Sequence, residues 1–148
     1  FGYEVYFKMF AKLLSDNKLP NIILLSGRII VGSYFLLPGA IAKIFNYEFM
    51  YNYMLDHDVP LTHVALVLTI IIQFFCSLGI IIGWHSKLSA FILALLTIII
   101  SYYMHDFWDM SPGIQQEHEL QNFVKNMGIM AGLLILSGSS PGRYSFKK

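Results

Sequence analysis

An all-α fold that crosses a membrane four times is predicted by three features of this 148-residue chain: apolar content, long uncharged stretches, and where the charges fall. Apolar residues make up 56% of the chain and charged residues 13%, with a mean hydropathy of +0.60. A soluble domain of this size needs far more charge to clothe its outside. The hydrocarbon core of a bilayer, about 30 Å thick, takes roughly 20 helical residues to cross. Four windows of that kind occur, and the charges crowd into the ends and connections between them.

Taken in order, Phe1, Val5, Met9 and Leu13 share one row at helical spacing while Lys8 and Lys12 lie on another face. Residues 1–18 are therefore predicted as an amphipathic helix lying on the membrane surface. The first span is placed at about residues 21–45, after Pro20 and before Asn46; the second at 61–84, opened by Pro60. The third is placed at 88–105 and the fourth at 123–137, with Lys125 and Asn126 inside its first turn. Residues 21–137 thus form one transmembrane domain and 138–148 a cytoplasmic tail. Trp84 to Lys87 reads as a tight turn, whereas Asn46 to Val59 and Asp106 to Gln121 read as long polar loops on one side. Pro38 is expected to kink the first span and free backbone groups near Tyr34.

Charge sets the orientation. Lys8, Lys12, Lys18, Arg28, Lys87, Arg143, Lys147 and Lys148 fall on the side shared by both termini, against Glu4 and Asp16. That side is predicted to be cytoplasmic, because the Lys and Arg excess decides topology. The opposite side carries seven acids and only Lys43 and Lys125 as bases. Small residues spaced at four mark expected contact faces: Gly79 and Gly83, Gly128 and Gly132, and the row Ser86, Ala90, Ala94.

Several function classes are excluded. The formal net charge is +1 and no basic stripe exists, so nucleic-acid binding is not expected. Cys76 is the single cysteine, which rules out an intrachain disulfide and dithiol redox chemistry. The chain begins at Phe1 and not Met, leaving a preceding targeting segment open.

Three segments together resemble the DoxX family of membrane proteins. They are GRIIVGSYFLLPGAIAK at 27–43, with Arg28, Gly32, Phe35, Gly39 and Lys43 in the family's Arg, Gly, Phe, Gly and Lys places; QFFCSLGIIIGWHSK at 73–87; and a closing set of HDFW at 105–108, FVKNMGIMAGLLIL at 123–136 and SPGRYSF at 140–146. Gln73 stands where the family often has Glu, and Phe146 and Lys147 stand where its closing motif often ends in Asp. The resemblance implies a four-helix integral membrane subunit in a bacterial plasma membrane, a mitochondrial inner membrane being the alternative. Some relatives take part in quinone-linked sulfur oxidation of the thiosulfate:quinone type or work beside separate redox partners.

Candidate site residues are the polar groups at membrane depth. Arg28 is read either as a contact to an anion or quinone carbonyl or as an anchor reaching lipid phosphate. Gln73, near mid-span, is read as a ligand contact or an interhelical bridge. Lys43, His105, Asp106, Lys125 and Asn126 lie at helix ends of similar depth, where they can converge as a quinone pocket or as a structural network. His57, His63, His105 and His118 share the acidic side, but no close ligand spacing supports a metal, and none is assigned. His63 and His85 lie at opposite ends of one helix, too far apart for bis-histidine haem. The tyrosines and tryptophans, Tyr34 among them, read as interfacial aromatics.

The expected function is a noncatalytic subunit that anchors or assembles a larger respiratory or oxidoreductase complex, with quinone as the candidate cofactor. Lipid and other membrane subunits are the partners, in a homo- or hetero-oligomer. No catalytic residue is assigned, and whether the chain is itself an enzyme stays open. The alternatives are a membrane subunit of a quinone-linked oxidoreductase and a small solute or lipid pathway.

Overall fold

The computed structural model describes residues 2–15 and 18–146, the Leu14 side chain excepted. Phe1, the first member of the amphipathic row, and the charges of Asp16, Lys147 and Lys148 lie outside the described residues. Within them the chain is helical, and no strand occurs. Helix α1 (Gly2–Ser15) is followed by α2 (Lys18–Tyr34), which runs on through a π-helical stretch, Phe35–Ile41, into α3 (Ala42–Phe45). After α4 (Tyr47–Asp56) come α5 (Thr62–Ile82) and α6 (Ser86–Met104), a 3-10 turn at Phe107–Asp109, and α7 (Ile114–Gly138).

Among the described residues three helical segments are long and apolar enough to cross a membrane: Lys18–Phe45, Thr62–Ile82 and Ser86–Asp109. About half of their large apolar side chains, including Ile30, Leu68, Phe75 and Leu95, are exposed. In water that surface would be costly; in acyl chains it is not. The expected fourth span is not matched on the same criterion. Its helix begins nine residues earlier than the apolar window, at Ile114, and α7 carries Glu117, Glu119, Asn122, Lys125 and Asn126 in its first half. The apolar window sees hydropathy alone, whereas this half is held in helix by one face packed on α6.

The two segments expected as polar loops also differ. Residues 47–56 form α4, because Met50 and Met54 repeat at helical spacing and pack with Val59, Leu66 and Met104 into a cluster near one end of the bundle. Residues 114–121 belong to α7. Pro20 does not precede the first helix but sits in its first turn, where a missing N–H costs nothing.

Beyond Pro38 the helix does not simply bend: it widens. The N–H of Ala42 reaches back five residues to the carbonyl of Leu37. A proline ring collides with the carbonyl four residues earlier and offers no N–H, and a π turn accommodates both.

The core is built from α2, α5, α6 and α7 around Phe35, Ile80, Ala90, Leu93, Ala94 and Leu133. Ser86, Ala90 and Ala94 are buried as expected of a contact row. Gly79 admits α6 closely, since a Cβ there would lie 2.6 Å from Ser89 Oγ and 2.9 Å from the Trp84 carbonyl oxygen. The pair Gly128 and Gly132 is a correction: both are exposed, with open space where a Cβ would stand. Every described side chain of α1 is exposed.

Candidate functional site

Polar side chains collect at two places about 20 Å apart along the first span, counting about 1.5 Å per residue from Arg28 to Lys43. The first is a recess of about 170 Å³ walled by the π-helical stretch, α5, α6 and α7. Lys43, Gln73, His105 and Asn126 line it, with Tyr34, Gly39 and Thr97. The ammonium of Lys43 donates to Gln73 Oε1 at 2.7 Å. Among the described residues no carboxylate lies within ion-pair distance of it. Gln73 is 3% exposed; with its oxygen engaged by Lys43, its N–H groups remain as donors. Gly39 packs against it: a Cβ there would stand 3.2 Å from the Gln73 amide, which would have to give by a few tenths of an ångström.

The far wall is a chain of hydrogen bonds. Asn126 Nδ2 donates to Ser101 Oγ at 3.0 Å, and Ser101 donates to the Thr97 carbonyl at 2.7 Å. His105 closes the top, and its Nδ1 meets Glu119 Oε2 at 2.7 Å. Glu119 is 6% exposed and also accepts from Gln115 and Asn122. The Glu119 contact thus anchors the imidazole through Nδ1, and the ring lines the recess.

A second depression of about 330 Å³ adjoins the recess, sharing Tyr34, His105 and Asn126 and adding Asn122, Lys125 and Ile129. Of the candidates named from sequence, Lys43, Gln73, His105 and Asn126 therefore come together, and Lys125 stands at their edge. Asp106 does not line the recess; its Oδ1 is buried without a partner among the described residues. It lies toward Tyr53, whose phenol is pushed above its ordinary value by burial and then by the charges of Glu119 and Asp106. His118 stays exposed, and among the described residues no three His, Cys, Asp or Glu side chains converge as a metal set.

Arg28 is elsewhere. It is 1% exposed and holds the carboxyl-terminal segment: Nη1 donates to the Pro141 carbonyl at 2.7 Å and Nη2 to that of Tyr144. The same segment is pinned by Asn21, which accepts from the Arg143 N–H at 2.6 Å, and by the Phe146 N–H on the Ile82 carbonyl at 3.0 Å. Gly83 lets it approach.

Three wall residues were not singled out by sequence. Thr97 and Ser101 sit eight and four residues before His105 on α6, a polar row that the helical repeat makes visible. Glu119, in the sequence one of the seven acids of the opposite side, holds His105 through Nδ1. Tyr34, read as an interfacial aromatic, borders both cavities.

The sequence model of the DoxX family matches residues 23–106, which include the π-helical stretch, Lys43, Gln73 and His105. The inner membrane protein YphA of Escherichia coli K12 is 24% identical over 127 residues, covering 86% of this chain and 89% of the relative. The inner membrane protein YqjF of the same organism is 28% identical over 132 residues, covering 89% and 95%. No solved structure matches the chain. With more than half of its length matched and three apolar spans, the protein is a membrane protein that belongs to the DoxX family.

Proposed function

We propose that this chain is a noncatalytic subunit of the bacterial plasma membrane that anchors a larger respiratory or oxidoreductase assembly and receives a quinone head in the recess. The observation that carries the reading is the donor set around Lys43. An ammonium bonded only to an amide, two side-chain amides and an imidazole surround a small cavity flanked by Phe35, Pro38 and Ile100. Carbonyl oxygens of a flat ring suit such donors, and a site shielded from water strengthens each bond.

In this reading α7 makes a fourth crossing beside α6, with Lys125 reaching the interface by its long stem. Helix α1 lies on the membrane surface, its exposed Val5, Met9 and Leu13 in the acyl boundary. Both termini then face the cytoplasm, and the recess opens toward the acidic outer side. The exposed apolar faces of the spans are free to meet neighbouring subunits.

Lys43→Met tests the site. The purified protein in nanodiscs is expected to bind decylubiquinone, and the variant to bind it about tenfold or more weakly, the loss of one charge-assisted hydrogen bond. Undiminished binding by the variant removes the recess from the account. Recovery of the chain from native membranes with stoichiometric redox subunits supports the anchoring role; purified chain that alone reduces quinone with a sulfur donor supports the rival enzyme reading.

A further inference from the structure

Between α2 and α7 the bundle does not close. An apolar groove of about 360 Å³ runs there, and its walls come from Ile23, Gly27 and Val31 on one side and Ile129, Gly132 and Ile135 on the other. The two helices run antiparallel along it, so the level of Ile23 faces that of Leu136, and the level of Tyr34 faces that of Ile129 and Asn126. Ile129 borders both the groove and the depression beside the recess, and Tyr34, His105 and Asn126 border both the depression and the recess. The three cavities therefore lie end to end from the donors at Lys43 along the seam, which extends about 16 Å, the rise of eleven helical residues from Tyr34 to Ile23. Together they are polar at one end and apolar along the rest.

We infer that this seam lodges the hydrocarbon tail of a long-chain amphiphile whose oxygen-bearing head sits in the recess, and that the ligand enters sideways from the bilayer; the inference rests on the head assignment above. The glycines carry the second half of the case. Gly27 and Gly132 face one another across the groove with nothing within 4 Å of where a Cβ would be, so neither is needed for the packing of this chain on itself. Their smallness holds space open on a helix pair that larger residues would fill. Arg28, midway along, and Ser139, at the far end, also line the groove, beside the latched carboxyl-terminal segment. A chain laid in the seam is thus shielded on two sides by apolar wall and on the third by lipid, with its polar end delivered to Lys43.

The test compares two probes on the full chain in nanodiscs: decylubiquinone, which has a tail, and 2,3-dimethoxy-5-methyl-1,4-benzoquinone, which has none. Gly132→Leu fills the groove without touching the recess and replaces glycine by a better helix former. The expected result is decylubiquinone binding about tenfold weaker in Gly132→Leu, with the tailless probe unchanged. Lys43→Met is expected to weaken both. A decylubiquinone carrying a diazirine at the tail end should label 23–31 and 129–136. Equal binding of decylubiquinone by wild type and Gly132→Leu overturns the seam assignment and leaves the head site standing. Labelling of those segments by a diazirine phospholipid that decylubiquinone does not displace also overturns it, in favour of a resident lipid chain, as does a seam covered by a second copy in crosslinking. Failure of both quinones to bind wild type overturns the head assignment and the seam with it.

Discussion

Replacing Arg28 with Met will release the carboxyl-terminal segment and cost about 2–4 kcal/mol of stability, since charge-assisted hydrogen bonds are lost and buried carbonyls are left unpaired. The guanidinium is 1% exposed, so no water stands ready to take its place. Its two terminal nitrogens hold Pro141 and Tyr144, more than a hundred residues away in the chain, and that long-range tie is what closes this end of the bundle. The variant should melt at distinctly lower temperature in detergent, and a protease should cut near Arg143 much faster than in the parent. Equal melting and equal protection would mean that Asn21 and the Phe146–Ile82 bond hold the segment unaided.

Gly83→Ala is expected to do similar damage from the opposite side of the latch. Gly83 ends α5 at a φ of 79°, left-handed territory that a side chain enters at a cost of about 1–2 kcal/mol. A Cβ there would also stand 2.5 Å from Arg28 Nη1 and 2.8 Å from Ser145 Cα. The backbone of Ser145 cannot swing aside as a side-chain end could, so steric displacement adds about 1–3 kcal/mol. Thermal melting of Gly83→Ala beside Gly132→Ala, whose added methyl meets open space, checks the claim; equal melting would refute it. Joined with Arg28→Met, the Gly83→Ala loss should be well below additive, because both substitutions undo the same closure.

The ends of α5 and α6 were legible in the sequence to within about three residues, because a bilayer demands a fixed apolar length and the charges stop where it ends. What hydropathy alone does not display is a helix with a polar working face. Residues 47–56 carry Tyr47, Met50 and Met54 at a helical repeat, yet the acids and tyrosines between them read as loop. In α7, Glu119, Asn122 and Asn126 follow one face at steps of three and four, a pattern that a search for apolar windows discards.

The candidate site divides in the same way. His105 announces itself through Thr97 and Ser101 on one helical row. The bond between Lys43 and Gln73 joins positions thirty residues apart, and no local pattern encodes it. Arg28 pairs with main-chain oxygens, which every residue has, so nothing in its surroundings in the sequence marks its partners. Gly128 and Gly132 show the converse: the spacing of a packing motif is present, but the neighbour it would pack against is not part of this chain's own bundle.

The π-helical stretch has a consequence for how this span tolerates changes in length. Its buried positions are Arg28, Gly32, Phe35 and Ala40, steps of four, three and five. The last step holds one residue more than a regular turn, a surplus stored at Pro38. Excising Leu37 together with Pro38→Ala, which removes the ring that an α turn cannot hold, should return the turn to ordinary α winding and keep everything beyond it in phase, where an excision at Val31 would rotate all later side chains by about 100°. A folded chain with a collapsed cavity is then the expected product, its melting kept and the recess beside Gln73 lost. The surplus residue is the raw material from which the pocket is made.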